Sequence, residues 1–306
     1  MSLTTGKLVE ALPAQSVLAR SRARAALIPD LLVEAQRVAN NVFAGWHGRR
    51  RRGIGENFWQ FRPYVQGENL AAIDWRRSAR DDHVYVKDRE WQASHTIWLW
   101  VDESASMLYQ SSSAEVSKQS RALVLALAMA ELLARSGERI GWLGVSKPIV
   151  HRHAAERLAS DLIVAGAQDR WPDMKHIGDH AEVVLFSDFL ESREDEEAHL
   201  AVFRDLSDKR VRGHLVQIID PAEEVFSYAG RMEFRDPETG HRLNLGSAQT
   251  VKQDYEALFR GHTQLLADYC SRLGWSHTLH HTDHLASQAL QSLHVAMSEN
   301  PFDGGR

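Results

Sequence analysis

The chain has 306 residues, of which 43% are hydrophobic and 25% are charged, and its formal net charge at pH 7 is −5. This composition is typical of a globular protein. The negative charge argues against general binding of nucleic acids. The only cysteine, Cys270, cannot form an internal disulfide, which suits the reducing cytoplasm. The sequence start lacks the pattern of a signal peptide, and the longest apolar run, residues 122–133, is too short to span a bilayer. We therefore expect a cytoplasmic protein without a membrane span.

The first 94 residues differ in pattern from the rest of the chain. A helix is predicted over residues 29–43, and the basic run Arg49–Arg52 follows it. Residues 83–86 alternate in polarity like an edge strand. We interpret residues 1–94 as a helical and irregular segment with an edge strand, packed on the main domain. Four arginines in an acidic protein are more typical of an exposed loop than of a nucleic-acid site.

Strands and helices alternate over residues 95–300, and residues 301–306 are predicted to be a frayed tail. The predicted strands are residues 97–101, 139–145, 183–186, 214–219 and 275–280. The predicted helices are residues 117–136, 154–166, 193–209 and 249–273, and a C-terminal helix capped by Thr282-Asp283. Residues 231–234 and 242–245 flank a turn and predict a β-hairpin insertion. The alternation predicts an α/β fold with a doubly wound, mostly parallel sheet and an N-terminal extension.

Oxygen-bearing side chains follow two of the predicted strands. Asp102, Ser104 and Ser106 come directly after residues 97–101, and Asp188 comes shortly after residues 183–186. In open α/β sheets, ligands bind at the carboxyl ends of the strands. Carboxylates and hydroxyls suit a hard divalent cation such as Mg²⁺. The alternative is that these side chains only cap the turns and helices that follow.

The spacing of these residues resembles a known cation site. Asp102-x-Ser104-x-Ser106, with Asp188 after a later strand, resembles the metal-ion-dependent adhesion site of von Willebrand factor A domains. That family adds a threonine ligand from another loop. No threonine lies between Thr96 and Thr239, so the usual threonine is missing and Ser146, Ser160 or a water molecule would have to replace it. The resemblance implies a Mg²⁺ or Mn²⁺ site at these four residues, and the missing ligand implies weak or absent binding.

An upstream signature narrows the resemblance to one family. The matching positions, in order, are Gly53-x-Gly55-x-x-Phe58, Arg62-x-Tyr64-x-x-Gly67 and Ile73-Asp74-Trp75-x-x-Ser78-Ala79-Arg80. This order is similar to that of the domain of unknown function 58 family, which carries a von Willebrand A-like domain. The resemblance covers about residues 30–300. It implies a partner of the MoxR type, an AAA+ ATPase thought to remodel client complexes.

These features predict a non-enzymatic adaptor that binds a protein partner through a cation at the strand ends. The alternative is a metal-free scaffold that binds through the N-terminal segment around Trp59, Tyr64 and Trp75. A less favoured alternative is a Mg²⁺-dependent phosphatase-like hydrolase. Haloacid dehalogenase-type enzymes place a general acid two residues after their nucleophile, where this chain has Ser104, and a serine cannot act as an acid near neutral pH.

Four histidines near the end of the chain form a second candidate for metal binding. They are His277, His280, His281 and His284. His280 and His281 are adjacent in a predicted strand, so their side chains point to opposite faces. A zinc site needs convergent ligands. The pattern therefore favours exposed or hydrogen-bonded histidines.

Overall fold

The computed structural model describes residues 17–47, 60–64, 73, 75–80, 84–88, 95–166, 171–190, 193–237 and 239–299. The chain forms two compact units, one made of Met1–Ala44 with His95–Arg306 and the other of Gly45–Ser94. The helices are α1 (Val17–His47), α2 (Trp75–Ser78), α3 (Lys118–Arg135), α4 (Ala154–Ala165), α5 (Arg193–Asp208), α6 (Pro221–Glu224), α7 (Lys252–Leu273) and α8 (Ala286–Glu299). The strands are β1 (Gln60–Pro63), β2 (Tyr85–Asp88), β3 (Thr96–Val101), β4 (Arg139–Trp142), β5 (Ser146–Ile149), β6 (Glu182–Ser187), β7 (Arg212–Ile219), β8 (Met232–Arg235), β9 (Arg242–Leu245) and β10 (Ser276–His281).

A six-stranded sheet forms the centre of the first unit, in the order β10-β7-β6-β3-β4-β5. All neighbouring strands are parallel except β5, which runs antiparallel to β4 at one edge. The chain builds the sheet outward from β3 through β4 and β5, then returns to place β6 on the other side of β3. The order of strands therefore reverses between β3 and β6, which is the switch point at which Rossmann-like sheets bind ligands. The predicted α/β fold with a mostly parallel sheet is confirmed.

Helices cover both faces of this sheet. On one face, Trp100, Leu185 and Leu215 of the strands pack in one apolar cluster with Phe203 of α5 and Leu266 of α7. Successive side chains of a strand point to opposite faces. The other face is covered by α3, which contacts β3, β4, β6 and β7, with α4 and α8 beside it. Burial on both faces explains why β6 is apolar from Val183 to Phe186.

Helix α1 packs on the outside of the layer formed by α3 and α4. Its buried residues recur at helical spacing, and they are Ile28, Leu31, Ala35, Val38, Ala39 and Val42. Gln36 donates to Glu156 of α4 at 3.1 Å, and Arg135 of α3 donates to Asn40 at 2.6 Å. The sequence predicted a helix over residues 29–43. The helix instead begins at Val17 and contains Pro29.

The predicted strand over residues 139–145 is wrong in one respect. β4 ends at Trp142, and residues 143–145 form a tight turn, with Gly144 at φ of +75°, that leads into β5. The two strands pair antiparallel, and Ser146 Oγ accepts a hydrogen bond from the Trp142 amide at 3.2 Å. A continuous apolar run does not reveal a turn of this kind, which is why the sequence pattern missed β5.

The second unit contains a short antiparallel pair of β1 and β2, with Pro63 opposite Tyr85. The sequence predicted a strand at residues 83–86, close to β2, but it missed β1. Arg49–Arg52, Trp59 and the tail at residues 301–306 lie outside the described residues. The predicted division of the chain at residue 94 stays a prediction. The part of α1 up to Ala44 belongs to the same unit as the six-stranded sheet.

The inserted hairpin consists of β8 and β9, with Met232 opposite Leu245 and Arg235 opposite Arg242. Its turn is closed by the Asp236 amide, which donates to the His241 carbonyl at 2.8 Å. Among the helices that the structure describes, none is long and apolar enough to cross a membrane.

Candidate functional site

Three neighbouring parallel strands each lead into an aspartate at their carboxyl ends. Asp102 follows β3, Asp188 follows β6, and Asp220 follows β7. Each aspartate accepts a hydrogen bond on Oδ1 from the backbone amide two residues further on, at 2.8, 3.1 and 2.9 Å respectively. This local bond closes the turn after each strand. The sequence predicted the first two aspartates as site residues and missed the third.

The four predicted site residues lie in one hydrogen-bonded network. Ser104 Oγ lies 3.1 Å from Ser106 Oγ, and Ser106 Oγ donates to Asp188 Oδ2 at 2.8 Å. Ser187 Oγ donates to Asp102 Oδ2 at 2.7 Å and thereby ties the β3 end to the β6 end. Both aspartates are buried, whereas both of these β3-end serines are partly exposed. The structure therefore brings the four residues together, with the hydroxyls toward solvent and the carboxylates beneath them.

Asp102 lies in an unfavourable electrostatic environment. Its side chain is buried, and the carboxylate of Asp188 is close to it. Burial first, and the charge of Asp188 second, raise the pKa of Asp102 to about 6. Hydrogen bonds from Ser187 and Ser104 act in the opposite direction but do not cancel this effect. Asp102 therefore exchanges a proton in the mildly acidic range.

The sequence analysis missed Lys118, the first residue of α3. Its side chain is fully buried, and Nζ lies 2.8 Å from Asp188 Oδ2 and 2.5 Å from Glu223 Oε1. Burial by itself would lower the pKa of Lys118, but Asp188 and Glu223 together raise it above its usual value. The ammonium is therefore charged inside the fold. One signal was available in the sequence, because a lysine in a first helical turn is unfavourable to the helix dipole and needs a compensating anion.

Glu223 is fixed for this contact by the short helix α6. Its Oε2 accepts a hydrogen bond from the Asp220 amide at 2.8 Å, and this is one half of a capping box. Its other oxygen is thereby turned toward Lys118. Burial raises the pKa of Glu223, and the ammonium of Lys118 opposes that rise. The Asp-Pro-x-Glu order after β7 is a readable capping signal, but nothing local in it indicates the contact with α3.

Side chains around the network make further contacts. Tyr109 and Tyr228 share a hydrogen bond of 2.6 Å between their hydroxyls, and the Tyr109 ring centroid lies 5.8 Å from the ammonium of Lys118. Gln217 of β7 donates to the Asp188 carbonyl at 3.2 Å. These contacts hold the β6 end and the start of α3 in place from several directions.

The oxygens of this network do not fit a divalent cation as the side chains stand. Asp188 Oδ2 already accepts from Ser106 and from Lys118, and both oxygens of Asp102 also accept hydrogen bonds. A Mg²⁺ ion held by Asp188 Oδ2 would lie about 2.1 Å from that oxygen and therefore within about 5 Å of Nζ. At an effective dielectric constant of about 20, the repulsion between the two charges is at least about 7 kcal/mol.

The positions considered for the missing threonine are also engaged elsewhere. Ser146 lies on the edge strand β5, and Ser160 donates within α4 to the Glu156 carbonyl at 2.9 Å. Within the described parts of the chain, no three His, Cys, Asp or Glu side chains are grouped so that they could hold a metal ion. The Mg²⁺ or Mn²⁺ site stays a prediction that the buried ammonium argues against.

Two of the four histidines near the chain end are neighbours, since the ring centroids of His281 and His284 lie 5.0 Å apart. His280 is buried, and its burial lowers its pKa to about 3. His281 Nε2 lies 2.5 Å from Glu224 Oε2, and His277 Nε2 lies 3.1 Å from Gln217 Oε1. The expectation of exposed or hydrogen-bonded histidines holds for His277 and His281, whereas His280 is buried and its Nε2 has no hydrogen-bond partner among the described residues.

Comparison with known proteins places the chain in a family. A family model described as "Protein of unknown function DUF58" matches residues 60–265, from β1 into α7. The chain belongs to the DUF58 family. The matched region includes all the residues of the network described above. The chain is 23% identical over 261 residues to "Uncharacterized protein Rv1480" of Mycobacterium tuberculosis and to "Uncharacterized protein Mb1516" of Mycobacterium bovis. Each of these alignments covers 78% of this chain and 78% of the relative.

Two solved structures show a remote similarity to this DUF58 chain. One is an aerotolerance-related membrane protein from Bacteroides fragilis, with a TM-score of 0.38 and 11% identity. The other is the conserved hypothetical protein BatB from Bacteroides thetaiotaomicron, with a TM-score of 0.36 and 10% identity. Each alignment covers 67% of this chain and 100% of the other chain. TM-scores of this size carry no argument about the fold or the function.

Proposed function

We propose that this DUF58 protein is a non-enzymatic protein-interaction adaptor with a von Willebrand A-like domain. Its partner-binding face is the carboxyl edge of the sheet around Asp102, Ser104, Ser106 and Asp188. One observation carries the proposal: two strand ends converge at the switch point and present partly exposed hydroxyls on a network of buried hydrogen bonds. A surface fixed in this way loses little conformational entropy when a partner binds.

The partner class comes from the family resemblance. Proteins of this kind are associated with MoxR-type AAA+ ATPases, and we propose such an ATPase as the partner, with the adaptor linking it to client complexes in the cytoplasm. The network supports an adaptor more than a catalyst. Asp102 already accepts hydrogen bonds on both oxygens, and Ser104 occupies the position at which a phosphatase of the haloacid dehalogenase type needs an acid.

The scaffold alternative has one observation in its favour. The side chain of Trp75, in the second unit, is 65% exposed. Exposed tryptophans are rare and often belong to binding surfaces. Under this alternative, the partner would bind the N-terminal segment around Trp59, Tyr64 and Trp75, and its binding would be insensitive to changes at the strand ends.

The test compares matched variants in binding to a purified MoxR-type AAA+ ATPase from the same genome, measured by biolayer interferometry. Ser104→Arg places a bulky charge on the proposed face. Asp179→Arg adds a similar charge at an exposed position before the amino end of β6, at the opposite edge of the sheet. We expect Ser104→Arg to weaken binding at least tenfold and Asp179→Arg to leave it unchanged.

Two results would contradict the proposal. Equal binding by the wild type and by Ser104→Arg would exclude the strand-end face. Loss of binding in Trp75→Ala, with Ser104→Arg unaffected, would favour the scaffold alternative. Hydrolysis of a phosphate ester by the wild type that is abolished in Asp102→Asn would instead support an enzyme.

A further inference from the structure

We infer that Lys118 is a built-in cation of the strand-end site and takes the place of a divalent metal ion there. The side-chain ammonium neutralises the carboxylates that would otherwise attract a metal. The proposal that Lys118 acts as the cation rests only on contacts within this chain. Its consequence, that partner binding needs no metal, rests on the function proposed above.

The ammonium lies at the edge of the sheet where the metal ion was predicted, and it joins separate loops there. It extends from the start of α3 and contacts Asp188 at the end of β6 and Glu223 in α6. Through Asp188 Oδ2 it is also linked to Ser106, in the loop after β3. An ammonium is a compact charge with several donors, so it can satisfy carboxylates from separate loops as a small cation does.

The burial of Lys118 separates this role from that of an ordinary surface ion pair. The side chain has no exposed area, and the side chain of Asp188 is 2% exposed. Lysine is almost never fully buried unless it is paired. Its position in the first turn of α3 is also unfavourable to a cation. The carboxylates of Asp188 and Glu223 therefore explain why a charged lysine can lie inside the fold. The ammonium in turn compensates the charge of these carboxylates.

Removal of the ammonium leaves a site that suits a metal. In Lys118→Ala, the carboxylates of Asp188 and Glu223 lose their counter-charge, and the space left by the side chain lies between them. Ser106 Oγ, 2.8 Å from the same Asp188 oxygen, adds a further oxygen. Oxygen ligands with uncompensated negative charge are the ones that Mg²⁺ and Mn²⁺ prefer. The substitution therefore converts the site from an ammonium site into a metal site.

The test measures thermal unfolding of the full chain in EDTA and in millimolar MgCl₂ or MnCl₂, without any partner. We expect the melting temperature of the wild type to change by less than about 1 °C between these conditions. Lys118→Ala should melt lower in EDTA and regain at least about half of that loss in MnCl₂, because a ligand that binds only the folded state stabilises it. Lys175→Ala, a change at an exposed lysine, is the matched control and should show neither effect.

A second measurement keeps the inference testable if Lys118→Ala does not fold. Mn²⁺ is titrated into the wild type and into Asp188→Asn, and binding is followed by electron paramagnetic resonance. We expect the two titrations to be the same, because the wild type has no Mn²⁺ site that depends on Asp188. The double variant Lys118→Met with Asp188→Asn removes both charges of the buried pair and should fold without binding Mn²⁺. Wild-type Mn²⁺ binding that Asp188→Asn abolishes would overturn the inference, as would a Lys118→Ala chain that folds but is not stabilised by metal.

The outcomes for the two proposals are separable. If the wild type ignores metal and Lys118→Ala gains metal binding, the inference stands even if no ATPase binds the chain. If Mn²⁺ binds the wild type at a site that Asp188→Asn removes, while Ser104→Arg still weakens ATPase binding, the proposed function stands and the inference is overturned.

Discussion

The β6–β7 pair carries a buried ionic cluster at each end, and the two clusters differ in charge balance. At the amino end, Glu182 pairs with Arg212, and His214 Nε2 lies 3.8 Å from Glu182 Oε2. His214 Nδ1 lies 2.7 Å from Ser276 Oγ. Burial first, and then the charge of Arg212, lower the pKa of His214 to about 4. One carboxylate therefore faces one guanidinium beside a neutral imidazole.

At the carboxyl end, the anions outnumber the cation. Lys118 neutralises part of the charge of Asp188 and Glu223, but Asp102 has no cation in contact with it among the described interactions. Burial first, and the charge of Asp188 second, raise the pKa of Asp102, and the hydroxyls of Ser104 and Ser106 beside it are partly exposed. A balanced cluster at the amino end serves stability, whereas an unbalanced cluster at the switch point is typical of a functional edge.

The largest expected effect follows the loss of Lys118, the cation that pairs with Asp188 and Glu223. Lys118→Met should lower the free energy of unfolding by about 3–5 kcal/mol, because it leaves the buried Asp188 and the partly buried Glu223 without this counter-charge. Urea denaturation measures this change. Lys175→Met, at an exposed position, should change stability by less than about 0.5 kcal/mol. A similarly small effect of Lys118→Met would show that the two ends are not differently balanced.

The amino-end cluster should lose stability as the pH falls. His214 is neutral in the folded chain down to a pH of about 4, whereas an unfolded histidine takes up its proton near 6.5. Relative to His214→Asn, the wild type should therefore lose up to about 3 kcal/mol between pH 6.5 and pH 4. Denaturation curves of both proteins across this range measure the difference. A constant difference would contradict a neutral, buried imidazole.

The carboxyl-end cluster should respond to pH in the opposite direction. The folded chain holds the Asp102 proton up to a pH of about 6, whereas the unfolded chain releases it near 3.8. Relative to Asp102→Asn, the wild type should lose about 2 kcal/mol of unfolding free energy as the pH rises from 4 to 6. The same denaturation series measures this change. If the wild type instead gains stability over this range, Asp102 is compensated and the contrast between the ends fails.

The smallest expected effect on stability is at the exposed side of the site. Ser104→Arg should change the unfolding free energy by less than about 1 kcal/mol, because the side chain is partly exposed and its hydroxyl interacts with the polar groups of Ser106 and Asp102 rather than with the apolar core. Thermal and urea denaturation check this value. A larger loss would mean that Ser104 belongs to the buried structure, and weaker partner binding by this variant would then not locate the binding face.

Local patterns in the sequence determined the α/β class and four members of the network. Apolar runs of strand length are readable one at a time, and Asp102 and Asp188 directly follow two of them. Because parallel strands end at the same edge of a sheet, the sequence predicted that Asp102, Ser104, Ser106 and Asp188 lie close together. This inference succeeded because strand direction and strand ends are encoded in neighbouring residues.

Only the tertiary structure decided what neutralises these residues. Lys118 and Glu223 are 105 positions apart, and Lys118 and Asp188 are 70 positions apart. The local sequence around Lys118 reads as the start of an apolar helix, and that around Glu223 reads as a helix cap. Whether a lysine in a first turn points to solvent or into the sheet edge depends on which loops surround it. The charge of the site, and with it the expected need for a metal ion, therefore follows from packing between distant segments, because burial and Coulomb interactions depend on distance in space rather than along the chain.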